Sequence, residues 1–193
     1  MKPAEFQKFL FRSAVTTIAV DGEIHNSEIE EIKSLVNSTA YFLDFEYEHV
    51  LKEITTDINS KGKKAVNEYL ISLAESELSE QQKIMLIDVI VRMIEADKGV
   101  HPEESQFLHL VKAKIKIPEE LLLIKFPKQI HYLLEKNDYD ENDELYENIQ
   151  KEYVDNININ NINNNEISTC IDRNISNINI INDSLINLTN SIN

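Results

Sequence analysis

The chain has 193 residues, a formal net charge of −15 and one cysteine. This length allows one ordinary domain with an appendage. The negative charge argues against nucleic-acid binding, which needs clustered Lys and Arg for phosphate contacts, and it suits a cation or a basic protein partner. The single cysteine, Cys170, excludes an intramolecular disulfide and a cysteine-based zinc site.

Composition and hydropathy also restrict the class of protein. Gly and Pro are scarce (3 and 4 residues), and alternating β-branched residues are hard to find before residue 155, so we expect an all-α fold. The opening MKPAEFQKFLFRSA has no long apolar region and is unlike a secretory signal. Nowhere do 18 apolar residues follow one another, so we expect no membrane span and a cytoplasmic protein.

The first half of the chain has apolar residues at helical spacing. Four helices are predicted, over 3–20, 26–38, 44–58 and 63–76. The first should end at Asp21-Gly22, because Gly readily takes the left-handed conformation that ends helices.

The second half begins with a capping box, in which Ser79 and Gln82 satisfy each other's amides; its loss typically costs about 0.5–2 kcal/mol. The most apolar helix follows and ends at Asp97. Further helices are predicted over 102–116 and 119–125, with a last turn or two over 129–136.

Two changes of composition follow. Residues 135–155 contain nine acids and two lysines, which predicts a solvated linker or an exposed helix. Residues 156–193 are dominated by Asn and Ile. Apolar residues in 167–192 step by four and three with one polar layer at Asn174, which favours an oligomerising coiled coil; disorder and an aggregation-prone strand remain alternatives. We therefore expect a helical domain (1–134), an acidic linker (135–155) and a tail (156–193).

One sequence pattern occurs twice. Residues 14–28 (AVTTIAVDGEIHNSE) align with residues 90–104 (IVRMIEADKGVHPEE) at an offset of 76 positions. The alignment places Ile18 on Ile94, Asp21 on Asp97, Ile24 on Val100, His25 on His101 and Glu28 on Glu104. Each copy predicts an apolar helix, an acidic turn and a second helix opened by a glutamate.

The repeated turn has a structural interpretation. If His25 and His101 are helix N-caps, Pro102 falls at the first helical position, where proline is favoured. Glu28 and Glu104 then fall at the third position, from which a carboxylate reaches back to the cap amide.

The same turn also suits an ion site. Hard divalent cations such as Ca²⁺ or Mg²⁺ bind several oxygen ligands, which carboxylates and turn carbonyls provide. The candidate ligands are Asp21, Glu23, Glu28, Asp97 and Glu104. The spacing of His25 and His101 from these glutamates is also compatible with a shared transition metal.

The repeated pattern of an apolar helix, ADG-x-[IV]-x-x-x-E and a second apolar helix resembles the TerB-like family, named for bacterial tellurite-resistance proteins and related to the N-terminal region of DjlA-type co-chaperones. The resemblance covers roughly residues 5–125 and is strongest over 78–117. It implies a compact bundle of about seven helices in two pseudo-symmetric halves, a divalent-metal site in the acidic turns, and a role in tellurite or chemical stress.

The match to the family pattern is not uniform along the chain. The first motif matches at Asp21, Gly22 and Glu28. The second matches at Asp97 and Glu104 but departs at Lys98-Gly99. There the glycine lies one position later than in the pattern, and the positively charged Lys98 stands before it.

Catalytic and EF-hand patterns fail. The candidate calcium loop starting at Asp138 has Asp143 where Gly is required and Ile149 where Glu is required. No phosphate-binding glycine-rich loop or nucleophile elbow occurs, so we expect no enzyme. Two hypotheses remain: a cation-binding stress sensor or adaptor, and a metal-free protein-interaction module multimerised through residues 167–192.

Overall fold

The central helix of the bundle is α1 (Pro3–Val20), and every residue in its last two turns, from Ser13 to Val20, is buried. A helix buried on all sides needs small or apolar residues around its circumference, as in SAVTTIAV. The buried hydroxyls of Ser13 and Thr17 donate to the carbonyls one turn earlier, at 2.8 Å each. The computed structural model describes residues 1–20, 22, 25–96, 100–134, 143–159 and 162.

Within these residues the remaining elements follow in chain order. They are α2 (Asn26–Ser38), a 3₁₀ turn (Ala40–Phe42), α3 (Tyr47–Lys61), α4 (Lys63–Glu75), α5 (Glu80–Ile94), α6 (Pro102–Ile115), α7 (Glu119–Lys125), α8 (Ile130–Leu133) and α9 (Asp143–Asn156). The described residues form helices and turns and no strand, which confirms the all-α prediction.

Most helix ends follow from local sequence. The Ser79 hydroxyl accepts the Gln82 amide at 3.3 Å, and the Gln82 side chain accepts the Ser79 amide at 3.1 Å, as the capping box predicts. The helix predicted over 44–58 instead runs from Tyr47 to Lys61. It starts later because Asp44 has a positive φ of 57°, and it ends at Gly62, whose amide donates to the Ile58 carbonyl at 2.7 Å.

The two halves of the repeat pack against each other. α1 contacts α5 most extensively and also touches α3 and α6, while α2 lies on α5 and α4 lies on α6. One apolar core runs through the bundle, with Phe11, Ile18, Ile90 and Phe107 at most 1% exposed. This shared packing fixes the starts of α2 and α6 relative to each other.

The acidic stretch before the tail is more closely packed than a linker. Its described part forms α9, which lies against α4 and α6 and buries Gln150 and Tyr153. The Gln150 amide donates to Asn67 at 2.7 Å. The physical reason is an apolar stripe at helical spacing through Ile149, Tyr153 and Ile157, beneath an otherwise acidic surface.

The first residues of the Asn/Ile-rich stretch also join the core, since Ile157 and Ile162 are each 2% exposed. We refer to α9 with residues 157–159 and 162 as the C-terminal arm. The predicted coiled-coil seam over 167–192 lies outside the described residues. Among the helices of the described chain, none is both long and apolar enough to cross a membrane.

Candidate functional site

The five predicted ion ligands divide into two groups. Asp21, Glu23 and Asp97 lie outside the described residues. Glu28 and Glu104 are described, and each is only 1% exposed. Each occupies the third position of its helix, as the structural interpretation of the repeat predicts.

Both glutamates cap their own helices. The His25 amide donates to Glu28 Oε2 at 2.7 Å, and the His101 amide donates to Glu104 Oε2 at 3.3 Å. The two histidines are the N-cap residues, with extended backbones that bring the amide under the carboxylate. The bonds satisfy amides that a helix start leaves open, and they set negative charge at the positive end of the helix dipole.

The fold brings the two motifs together in space. The rings of His25 and His101 are nearly parallel, with an interplanar angle of 15° and centroids 6.4 Å apart. Residues 76 positions apart in the sequence are therefore neighbours, and the two capping carboxylates belong to adjacent helix starts. The sequence indicated the repeat but could not show that its copies meet.

The first turn is closely covered. Gly22 is buried and has a φ of +84°, which confirms the predicted left-handed end of α1. A Cβ added there would lie 3.2 Å from the Asn158 main-chain oxygen and 3.4 Å from the Asn158 Cβ. The glycine is thus required by conformation and by the close approach of the C-terminal arm, whose contribution the sequence did not predict.

The second motif makes a different contact, through the residue that follows α5. Glu95, just after α5, accepts the Tyr132 hydroxyl at 3.0 Å and the Gln129 side-chain amide at 3.1 Å. Burial, followed by the hydrogen bond and charge of Glu95, raises the pKa of the Tyr132 phenol. Tyr132 therefore stays a neutral donor, and α8 is attached to the chain two residues before Asp97.

The donor chemistry fits a hard cation. Carboxylate oxygens are preferred ligands of Ca²⁺ and Mg²⁺, and a carboxylate has about four lone-pair sites, so accepting one cap amide is compatible with ligation by Glu28 or Glu104. Within the described part of the chain, no group of three or more His, Cys, Asp or Glu residues is arranged to hold a metal. A complete site would draw on Asp21, Glu23 and Asp97 as well.

A separate cleft lies between α4, α6 and α9 and has a volume of about 500 Å³. Each of the three helices contributes one lysine to it, namely Lys64, Lys114 and Lys151, and the acids Glu147 and Asp155 also line it. Converging cations are notable in a chain with a net charge of −15. The cleft therefore carries charges of both signs, three lysines and two acids.

The family model described as "Tellurite resistance protein TerB" matches residues 10–122 of the chain. No curated protein and no solved structure matches the chain with significance. The matched region starts within α1, includes both acidic turns and ends within α7. With more than half of its residues matched in this way, the chain belongs to the TerB family.

Proposed function

We propose that this TerB domain binds a divalent cation, Ca²⁺ or Mg²⁺, through its acidic inter-helix turns. It would act in the cytoplasm as a non-catalytic sensor or adaptor in the response to tellurite or chemical stress. The observation that carries the proposal is the meeting of the two motifs, whose His25 and His101 rings lie 6.4 Å apart.

The proposal assigns a role to each acidic residue. Asp21 and Glu23 in the first turn and Asp97 in the second would supply carboxylate oxygens, the type of ligand that both Ca²⁺ and Mg²⁺ prefer. Glu28 and Glu104 stand at the rigid helix starts, where their cap hydrogen bonds fix the carboxylates. A bound cation would draw these like charges together and stiffen both turns.

The same geometry supports a non-catalytic role. Glu28 and Glu104 are buried and hold cap amides, whereas a general acid or base needs contact with a substrate proton. Their fixed position suits a structural ion whose binding changes stability or the presentation of a surface.

Thermal melting tests the proposal. The native chain should melt higher in Ca²⁺ or Mg²⁺ than in EDTA, because a ligand selective for the folded state stabilises it. At a concentration of about 100 times Kd the gain is about 2.7 kcal/mol, or about 5–10 °C for a chain of this size. Zn²⁺ serves as the comparison ion, and a larger shift with Zn²⁺ would favour the histidines as ligands.

Variants locate the effect. Asp21→Asn should abolish most of the shift, whereas Asp44→Asn, at an exposed residue outside both motifs, should keep it. Equal melting of the wild type in EDTA and in Ca²⁺, Mg²⁺ and Zn²⁺ would refute cation binding.

A metal-free protein-interaction module is the second candidate. It is favoured by the cap hydrogen bonds, which already explain why Glu28 and Glu104 are buried, and by the lysine-lined cleft. In this case melting is insensitive to cations, and the tail would multimerise the domain through residues 167–192. Sedimentation of the full chain, with and without Ile178→Lys and Ile181→Lys in the predicted seam, tests the multimer; a monomer in both cases removes it.

A further inference from the structure

The end of the C-terminal arm has the pattern of an extended peptide. Beyond α9, residues 157–159 and 162 belong to no helix, and we refer to them as the arm segment. Ile157 is 2% exposed, Asn158 is exposed and Ile159 is half-buried against the core. Side chains that alternate in this way between inside and outside are typical of an extended chain. The arm segment therefore lies on the bundle with its isoleucines inward.

The bundle holds the arm by its main chain. The Asn59 side chain donates to the Ile162 carbonyl at 2.8 Å and accepts the Ile162 amide at 2.7 Å. Both main-chain groups of one residue are thus paired, as they would be by a neighbouring strand. Lys63 donates to the Asp155 carbonyl at 2.7 Å. Because every residue has a main-chain carbonyl, these bonds select an extended backbone rather than particular polar side chains.

A third contact also involves a main-chain atom of the arm. The Asn158 carbonyl oxygen comes so near Gly22 that a Cβ there would lie 3.2 Å from it. We refer to Gly22, Asn59 and Lys63 as the arm site. They lie just beyond α1, in α3 and at the start of α4, so the site is formed by the packing of three separate elements.

The residues that fill the arm site indicate the kind of ligand it accepts. Residues 156–162 (NININNI) contain no charged side chain, and Ile157 and Ile162 are each 2% exposed. A charge at either isoleucine would have to leave water, which is costly unless the charge is paired. The site therefore suits an extended, uncharged segment with isoleucines five positions apart.

α9 has its own attachments to the bundle. The Gln150 amide donates to Asn67 at 2.7 Å, and the Tyr153 hydroxyl donates to the Glu103 carbonyl at 3.1 Å. Both bonds precede the arm segment in the chain and involve α4 and α6 rather than the arm site. Release of the arm segment therefore does not require α9 to leave the bundle.

We propose that the arm site binds an extended, uncharged, isoleucine-containing segment of a partner protein, and that the arm segment occupies the site as an intramolecular competitor. Because the site contacts main-chain atoms, a segment of another protein can form the same hydrogen bonds. The competitor is joined to the site through α9 and acts at a high effective concentration. It lowers the partner's apparent affinity in proportion to the time for which it fills the site. This binding does not depend on a cation in the acidic turns.

Peptide binding to the full chain tests the site. The probe is a labelled peptide with the sequence of residues 156–163, blocked at both ends so that its termini carry no charge. Ile162→Asp puts a charge at a buried position of the arm segment and should free the site. The peptide Kd, measured by fluorescence anisotropy, should then fall at least about tenfold below the wild-type value, as expected if the wild-type site is open for less than about a tenth of the time. Ile162→Ser is a milder change that guards against misfolding and should give a smaller gain.

Variants of Asn59 locate the bound peptide. In the Ile162→Asp chain, Asn59→Ala removes both bonds to the peptide main chain and should raise the Kd about tenfold, the effect of two hydrogen bonds of ordinary strength. Asn59→Asp keeps the size of the side chain but cannot donate to a carbonyl, and it should weaken binding as well. Asn37→Ala, at an exposed asparagine of α2, is the matched control and should leave the Kd unchanged.

Three results would overturn the proposal. One is the absence of peptide binding to both Ile162 variants up to the solubility limit of the peptide, with thermal melting showing that they are folded. Another is an equal Kd in the Ile162→Asp chain with and without Asn59→Ala, since the peptide would then bind elsewhere. The third is a wild-type dimer in sedimentation that dissociates on Asn59→Ala, because the arm of a second copy, and not a partner protein, would then fill the site.

Discussion

The two acidic turns share a sequence pattern but differ in their surroundings. Both enter a helix through a histidine cap and a buried glutamate, with rings in contact across the pair. The C-terminal arm covers the first at Gly22, whereas in the second motif Glu95, two residues before Asp97, accepts a hydrogen bond from the tyrosine of α8. Local sequence thus reproduces the same helix start twice, and the unrepeated C-terminal chain gives each copy a different environment.

The same contrast extends along the second helix of each motif. An offset of 76 places Lys33 of α2 on His109 of α6, and each is 6% exposed. Lys33 forms an ion pair with Glu30 at 2.7 Å. His109 is neutral instead, because burial and then the nearby charge of Lys112 lower its pKa to about 4, against a smaller opposing effect of a hydrogen bond with the Tyr132 backbone.

The largest predicted effect is the pH dependence caused by His109. Between its unfolded pKa of about 6.5 and its folded pKa of about 4, the unfolded chain binds a proton that the folded chain does not. The stability that neutral His109 contributes should therefore be fully present at pH values above its unfolded pKa. As the pH drops towards 4, the free energy of unfolding should fall by up to about 3 kcal/mol. Urea titrations at a series of pH values measure the slope.

His109→Gln removes the titrating group and should flatten this part of the pH profile. His49→Gln, at an exposed histidine, should leave the slope unchanged. A slope in the His109 variant equal to that of the wild type would show that the acid sensitivity arises elsewhere.

The second effect is expected at the covered turn. Gly22→Ala places a Cβ 3.2 Å from the Asn158 carbonyl on a residue with φ of +84°. Conformational strain and the displaced arm should together cost about 2 kcal/mol of unfolding free energy. Denaturant unfolding gives the loss, and faster amide exchange over residues 157–162 shows the displacement.

Gly62→Ala separates these two causes. Gly62 also has a positive φ, 54°, but a Cβ there would meet nothing within 4 Å. This variant should destabilise the chain through backbone strain and leave exchange in the arm unaltered. If both glycine variants accelerated arm exchange equally, the close approach of Asn158 would not be what holds the arm over the first turn.

Local elements could be predicted from the sequence, and contacts between distant segments could not. The bounds of α2, the Ser79 capping box and the Gly22 turn depend on residues within one helical turn, so their patterns indicated them correctly. The two hydrogen bonds between the Asn59 side chain and the Ile162 main chain join residues 103 positions apart. An Asn/Ile-rich stretch after an acidic one resembles a linker and tail, and only the spatial position of Asn59 reveals its partner.

The ion-site prediction illustrates the same limit. Pattern and spacing identified Glu28 and Glu104 as a matched pair and predicted their cap hydrogen bonds. The contact between His25 and His101 depends on how α1, α5 and α6 pack, which no local pattern contains. Ligation itself stays a prediction, since it depends on the joint placement of both turns.

The smallest predicted effect compares the two capping glutamates directly. Glu28→Ala removes the acceptor of a 2.7 Å bond and Glu104→Ala that of a 3.3 Å bond, so the first should cost more, about 1–2 kcal/mol against about 0.5–1 kcal/mol. Glutamine also serves at the third position of a capping box. Glu28→Gln and Glu104→Gln should therefore recover most of the lost stability in EDTA.

Adding Ca²⁺ to the same four variants separates capping from ligation. A glutamine carbonyl preserves the cap but lacks the charge that attracts a cation, so the glutamine variants should be stable in EDTA yet gain less from Ca²⁺ than the wild type. Glu103→Gln, at the exposed neighbour of Glu104, controls for loss of charge near the start of α6. Full Ca²⁺ stabilisation of Glu28→Gln would confine Glu28 to capping, because a ligand that loses its charge cannot leave cation affinity unchanged.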